Sequence, residues 1–235
     1  MRTHQLVLGW IEEQLRAGSL AIGQRLPGER ALAEQFGLSR TSVREAIRVL
    51  EALGVARSGV GSGPESGTTI IADPSTALGS ALRLHVASSH LPVADMVQTR
   101  IMIESWACLH AAPDSPALPE AAELLTAMER LGPEDIEQFL LLDVRFHFAL
   151  TEAAGNAVVS AIMLSLREGI KGYISAATDG QEQWPAVAAR LHTEHRGILA
   201  AIQSGRSREA SDLVAEHIEG FYQDLRTGRL TGPTN

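Results

Sequence analysis

Four side chains in the second half of the sequence have the chemistry of metal ligands. Asp143 and His147 are four residues apart, so a helix would place the carboxylate and the imidazole one turn apart on the same face. His195 and His217 each lie beside apolar residues at helical spacing, so each could point into a protein core. A buried group of one aspartate and three histidines needs charge compensation, which a divalent metal ion provides. Ligands without sulfur suit zinc, nickel, iron or manganese.

A second interpretation of these four residues needs no metal. Single histidines near apolar helix faces are commonly hydrogen-bonded core residues. In an enzyme the same cluster could activate water, although the sequence shows no general base or nucleophile motif beside it. Cys108 is the only cysteine, which excludes thiolate-rich metal sites. Spacing alone therefore leaves a metal site and a hydrogen-bonded core both open.

The elements that carry these residues are predicted to be helices. Segments with a helical apolar period alternate with breaks at Pro, Gly and Asn, and no convincing strand pattern occurs among them. The predicted helices span roughly residues 75–88, 93–112, 117–131, 134–153, 157–177, 185–204 and 206–227. We therefore expect an all-helical bundle of six or seven helices over residues 79–229, preceded by a linker over residues 73–78.

Residues 1–72 are predicted to form a smaller domain of a different kind. A helix should begin after Pro27-Gly28 and end at Gly37, and Ser39 is suited to cap the helix that follows. Two helices joined by a short glycine-containing turn form a helix-turn-helix. Short strands around a glycine-rich tip are then expected to form a wing, with strands over 54–58 and 68–71 and the tip over 59–67. The predicted fold class is mainly α, a winged helix-turn-helix followed by the helical bundle.

One face of the second helix of this motif is polar and basic. It carries Arg40, Thr41, Ser42 and Arg44, opposite an apolar stripe. The second helix of a helix-turn-helix enters the major groove with its N-terminus first, and backbone N–H groups beside Ser39 would favour a phosphate. Arginine can bond both acceptors of guanine, and hydroxyls can reach phosphates or base edges. The alternative is that these side chains are only solvated surface residues.

The charge distribution is compatible with a DNA-binding N-terminus. The formal net charge of −8 divides into +1 over residues 1–72 and −9 over residues 73–235. No apolar run approaches the roughly 20 residues that span a bilayer. The first twenty residues contain two glutamates where a signal peptide has an apolar centre. We therefore expect a cytoplasmic protein with no membrane partner.

The N-terminal pattern resembles a known family. The segment Leu26-Pro-Gly-Glu-Arg-Ala-Leu-Ala-Glu-Gln-Phe-Gly-Leu-Ser-Arg-Thr-Ser-Val-Arg-Glu-Ala-Ile-Arg-Val-Leu-Glu-Ala-Leu-Gly is similar, nearly position by position, to the GntR family of transcriptional regulators. The resemblance implies that operator DNA is contacted by Arg30, Arg40, Thr41, Ser42 and Arg44. The wing looks longer than is usual in the family.

Residues 75–227 resemble the helical FCD domain of the FadR subgroup. The resemblance is carried by Arg100-Ile-Met-Ile-Glu104, Asp143-Val-Arg-Phe-His147, Glu152-Ala-Ala-Gly-Asn156, Glu194-His195-Arg-Gly-Ile-Leu-Ala-Ala-Ile and Ala215-Glu-His217-Ile. It implies that a divalent metal ion is bound by Asp143, His147, His195 and His217, with zinc as the first choice. Some members of the subgroup bind acyl-CoA thioesters without metal, so a metal-free acyl-CoA sensor is the alternative.

The resemblance also implies an effector and a partner. Four protein ligands leave one or two positions open on an octahedral ion, and a small organic acid could fill them with its carboxylate. Arg100 is the candidate for holding the other end of that acid, with Asn156 as a second candidate. An ion pair between Arg100 and Glu104, four residues apart, is the competing role for this arginine. The chain is expected to bind a pseudo-palindromic operator as a homodimer, with repression relieved by the effector.

Overall fold

The computed structural model describes residues 3–59, 67–132, 134–178 and 184–226. The chain divides into two compact units, Met1–Leu78 and Gly79–Asn235. The fold class is confirmed: the first unit contains a winged helix-turn-helix, and the regular elements among the described residues of the second unit are all helices. Residues 74–78, which fall in the predicted linker, form the first turns of a helix.

The described residues of the first unit before residue 74 form three helices and one hairpin. The elements are α1 (Thr3–Arg16), α2 (Glu29–Phe36), α3 (Arg40–Ala52), β1 (Ala56–Gly59) and β2 (Gly67–Ile70). The strands are antiparallel, and their register runs from Ala56 opposite Ile70 to Gly59 opposite Gly67. They match the predicted wing strands to within about two residues. Most of the predicted wing tip, residues 60–66, lies outside the described residues.

Two predicted helix boundaries position α3. Gly37 ends α2 in the left-handed conformation with φ 63°, as expected of a C-terminal glycine. Ser39 caps α3 because its side-chain oxygen accepts a hydrogen bond from the backbone N–H of Ser42. The apolar side of α3, which includes Val43 and Ile47, is buried in the core of the unit. Its opposite face is therefore left toward solvent.

Gly54 follows α3 and has a conformation that requires glycine. Its φ is 68°, and a Cβ atom at this position would lie 1.9 Å from the carbonyl oxygen of Asp73. The backbone N–H of Asp73 donates to the carbonyl of Gly54. The carboxylate of Asp73 in turn accepts hydrogen bonds from Ser75 and Thr76. The end of α3 is thus tied to the residue that starts the next helix.

The sequence predicts six or seven helices after the N-terminal domain, and seven occur among the described residues. They are α4 (Pro74–Ala87), α5 (Val93–His110), α6 (Leu118–Met128), α7 (Ile136–Glu152), α8 (Ala157–Thr178), α9 (Trp184–Gln203) and α10 (Ser207–Arg226). In the second unit α10 packs on α5 and α9, and α7 packs on α6 and α8. The core between them contains fully buried side chains such as Phe146, Ile198 and Ile218. None of the described helices is long and apolar enough to cross a membrane.

Candidate nucleic-acid interface and metal centre

The predicted DNA-contacting side chains lie on the surface of the first unit. Arg40, Thr41 and Arg44 are exposed on α3, and Ser42 is half-buried beside the cap. The hydroxyl of Ser42 lies 2.9 Å from that of Ser39, so the two share a hydrogen bond at the start of the helix. The start of α3 is therefore exposed to solvent, and hydrogen bonds between Ser39 and Ser42 hold its first turn.

Two of the arginines are already paired with carboxylates on α2. Arg44 donates to both oxygens of Glu29 at distances from 2.9 to 3.3 Å. This hydrogen bonding, together with the nearby positive charge, lowers the pKa of Glu29. Arg30 pairs with Glu34 one turn along its own helix, and both side chains are exposed. Ion pairs at the surface are weak because water screens them, so both can be exchanged for phosphate or base contacts at little cost.

The four predicted metal ligands converge in the second unit. Asp143 and His147 lie on α7, His195 on α9 and His217 on α10, and all four are buried. One potential ligand atom from each lies within 4.8 Å of all the others. Three helices that are distant in sequence thus place one carboxylate and three imidazoles around a common point.

Hydrogen bonds from outside the cluster fix two of the rings. Nδ1–H of His147 donates to Glu104 Oε2 at 2.5 Å, and Nδ1–H of His217 donates to Glu194 Oε2 at 2.7 Å. A carboxylate partner on Nδ1 sets the tautomer, so Nε2 of each ring carries a lone pair directed inward. Carboxylates behind the rings, here the buried Glu104 and the half-buried Glu194, are the arrangement typical of histidine ligands to metals.

The ring nitrogens at the centre of the cluster are poorly satisfied by hydrogen bonds. Nε2 of His147 lies 3.1 Å from Nε2 of His217, where two lone pairs would face each other. Nε2 of His195 is 3.1 Å from an oxygen of Asp143, but neither ring nitrogen of His195 has hydrogen-bond geometry to a described residue. Unpaired buried nitrogens are costly, and a cation between these atoms would satisfy them. The donor set therefore fits a divalent metal ion.

Burial sets the protonation of the ligands in the form that binds metal. It lowers the pKa of His195 and, more strongly, the pKa of His217, so both rings are neutral near pH 7. Burial by itself raises the pKa of Asp143, but the positive charge of Arg167 and the hydrogen bonding and charge of the neighbouring histidines together outweigh it, and the pKa falls well below the usual value. The site thus holds an ionised carboxylate at Asp143 and neutral imidazoles at His195 and His217, the forms that metal coordination requires.

The roles of three residues at this site were not predicted by the sequence reasoning. Arg167 on α8 is 4% exposed and donates through Nη2 to Asp143. Its only sequence signal is a basic residue directly after the mostly apolar run of residues 161–166 in this helix. Glu104 and Glu194 hold the two histidine rings, yet nothing in their spacing predicts a contact with residues 43 and 23 positions away.

Arg100 and Asn156, the predicted effector contacts, lie in different surroundings. Arg100 is 3% exposed and pairs with Glu104, so the competing ion pair does form. It also lines a small cavity together with Asp143 and His217, which places it beside the metal cluster. Asn156 caps α8, where its side-chain oxygen accepts from the N–H groups of Val158 and Val159.

Two family models match the chain. The model described as "Bacterial regulatory proteins, gntR family" matches residues 5–65, and the model described as "FCD domain" matches residues 95–220. The first covers the helix-turn-helix and the start of the wing. The second covers the four helices that supply Glu104, the metal cluster and the carboxylates behind it.

Similar proteins of known or assigned role are also regulators. The transcriptional repressor NanR of Klebsiella aerogenes is 30% identical over 92% of this chain and 82% of its own length. A putative L-lactate dehydrogenase operon regulatory protein of Escherichia coli is 28% identical over 88% of this chain and 80% of its own.

Among solved structures, a GntR protein of Streptococcus agalactiae matches with a TM-score of 0.60 and 22% identity, over 94% of this chain and 98% of that one. This likeness supports the fold. The relatives confirm the prediction that the chain is a regulator rather than an enzyme. The chain belongs to the GntR family of bacterial transcriptional regulators and carries an FCD effector-binding domain.

Proposed function

We propose that this protein is a metal-dependent transcriptional repressor of the FadR subgroup, released from its operator by a small organic acid. Residues 1–72 form the DNA-binding domain, residues 73–78 the linker, and residues 79–229 the domain that binds the effector and dimerises. The single observation that carries the metal part is the convergence of four buried ligand atoms within 4.8 Å.

The DNA-binding surface comprises Arg30, Ser39, Arg40, Thr41, Ser42 and Arg44. Exposure of Arg40, Thr41 and Arg44 on α3 supports this assignment, as does the exposure of Arg30 on α2. Because one recognition helix reads only one half-site, the operator is a pseudo-palindrome bound by a homodimer. Repressor action is the role named for NanR, the relative at 30% identity.

The metal is held by Asp143, His147, His195 and His217, and zinc is the first choice, with nickel, manganese and iron as alternatives. When bound, the ion supplies positive charge that attracts the carboxylate of the effector. Arg100, which lines the small cavity beside Asp143 and His217, holds a second polar group of the acid. Asn156 can contribute only through its amide nitrogen, because its oxygen caps α8.

A gel-shift experiment tests the proposal as a whole. Purified protein is stripped with a chelator, reloaded with zinc, and bound to the DNA upstream of its own gene in the presence of a panel of small carboxylic acids. We expect at least one acid to release the DNA from the metal-loaded protein and to have no effect on the stripped protein. A complex indifferent to every acid, or released equally without metal, would contradict the proposed regulation.

Elemental analysis of the protein as purified tests the metal separately. We expect one divalent ion per chain, lost together with the ability to respond to acids. Protein that contains no metal and retains a thioester ligand would instead favour the acyl-CoA alternative.

A further inference from the structure

A second cavity in the FCD domain lies next to the metal cluster. It has a volume of about 500 Å³, which is the size of a small-molecule site. The beginning of α7 and the second half of α8 form its walls. Its lining combines apolar side chains, including Leu140 and Leu141, with charged side chains from both helices.

Arg167 forms part of the inner wall of this cavity. Its Nη2 donates to Asp143, whereas Nε and Nη1 are buried and have no hydrogen-bond partner among the described residues. A buried guanidinium with unused donors is costly unless an oxygen atom reaches it. An oxygen of a ligand carboxylate could therefore accept a hydrogen bond from one of these two nitrogens while the contact with Asp143 stays in place.

The outer part of the cavity carries the opposite charge. It is lined by the carboxylates of Glu134, Asp135, Glu137 and Glu168. None of the four forms an ion pair with a basic side chain in the part of the chain that the structure describes. Acidic residues at the start of α7 favour its helix dipole, but Glu168 lies on α8 and has no such role. The outer part is thus suited to a cation.

We infer that this cavity selects effectors that carry both a carboxylate and a protonated amine. The carboxylate faces Arg167, the ammonium group faces Glu137 and Glu168, and the apolar side chains between them contact a short methylene chain. This inference rests on the proposed function, because it concerns a ligand of the same domain that binds beside the metal at Arg167, apart from the acid held by the metal and Arg100. Arg167 links the cavity to the metal through Asp143, so ligand and metal share one buried hydrogen-bond network.

Calorimetric titration of the zinc-loaded, full-length protein tests the inference. The probes are ω-amino acids, dicarboxylates and unbranched fatty acids of matched spacer length, with the spacer lengthened one carbon at a time. They share one carboxylate and differ only in the ammonium, carboxylate or methyl group at the other end. We expect the best ω-amino acid to bind at least about tenfold more tightly than its dicarboxylate or methyl counterpart.

Substitutions of the outer carboxylates test the cause of the preference. Glu137→Gln and Glu168→Gln should each reduce the preference for the ammonium probe, whereas Glu123→Gln, on the exposed face of α6, should leave it unchanged. Arg167→Met should weaken all carboxylate probes, and circular dichroism and zinc content report whether that variant still folds. Because Glu137→Gln alters an exposed side chain, it tests the inference even if the Arg167 variant fails to fold.

The possible outcomes separate this inference from the proposed function. Equal or tighter binding of dicarboxylates, or an ammonium preference unaffected by Glu137→Gln and Glu168→Gln, overturns the chemical class but leaves an acid-responsive regulator. Absence of binding by every probe also overturns it, while release of DNA by some other acid in the gel-shift experiment would still support the proposed function.

Discussion

His147 and His217, which are 70 residues apart in sequence, face each other with their Nε2 atoms 3.1 Å apart. Each ring is held from behind by a carboxylate at Nδ1, so neither can turn away without losing a hydrogen bond. This arrangement is the one expected of two histidines that bind the same metal ion.

Replacing Glu194 should weaken metal binding without touching a ligand. Glu194→Ala removes the acceptor that orients His217, and losses of about 10–100-fold in metal affinity are typical for such partners. Affinity can be measured by competition with a chromogenic zinc chelator. Glu216→Ala, an exposed neighbour of His217 on the same helix, is the matched control and should bind zinc normally. Equal affinities for the two variants would show that Glu194 does not position the ring.

Two histidines on α9 should respond differently to replacement. His195→Ala removes a predicted ligand and should abolish stoichiometric metal, together with the thermal stabilisation that zinc confers on the stripped protein. His192 lies three residues earlier, and its ring packs 5.3 Å from that of Phe139. His192→Ala should therefore keep its metal. Metal content by elemental analysis decides the matter, and full zinc occupancy in the His195 variant would exclude that residue as a ligand.

Arg44 should contribute to base recognition despite its ion pair with Glu29. We expect Arg44→Ala to weaken operator binding by about 1–3 kcal/mol and to relax the preference at one position of each half-site. Fluorescence anisotropy with operator and single-substitution duplexes measures both effects. Arg16→Ala, on α1 and also exposed and paired, should have little effect. A uniform loss on all sequences would instead assign Arg44 to the phosphate backbone.

The metal-free protein should lose stability on acidification. Burial lowers the pKa of His195 and His217 below 6.5, so the unfolded chain binds protons first as the pH falls. The stability from the neutral rings is thus complete above about pH 7 and declines from pH 6.5 down through the lowered values. Thermal unfolding of chelator-treated protein from about pH 8 to about pH 5 measures this. The variant His217→Asn should show a shallower decline, and a melting temperature that rises on acidification would contradict the assignment.

The sequence predicts those features that depend on neighbouring residues. Gly37 and Ser39 delimit α2 and α3 because a left-handed glycine and a capping serine act within one turn. Asp143 and His147 share a face because helical geometry alone places them there. The same local rules located the helices of the FCD domain to within a few residues.

Contacts across helices could not be predicted in this way. The hydrogen bond from Arg167 to Asp143 depends on how α8 packs on α7, and that from His147 to Glu104 depends on α5 meeting α7. These depend on packing of the whole core rather than on any spacing. The family resemblance identified the four ligands, but it assigned no role to the side chains that form hydrogen bonds with them, Glu104, Arg167 and Glu194.

The pairing of Arg44 with Glu29 has a consequence for how the protein searches a genome. In the free protein the carboxylate of Glu29 binds the guanidinium of Arg44 as a DNA phosphate would. Part of the positive charge on the DNA-contacting face of α3 is therefore neutralised. Any DNA must displace the Glu29 carboxylate from Arg44, but only an operator also provides hydrogen bonds from base edges to this arginine. We therefore expect the pair to weaken binding to every sequence slightly, and only an operator whose bases bond Arg44 to offset that loss.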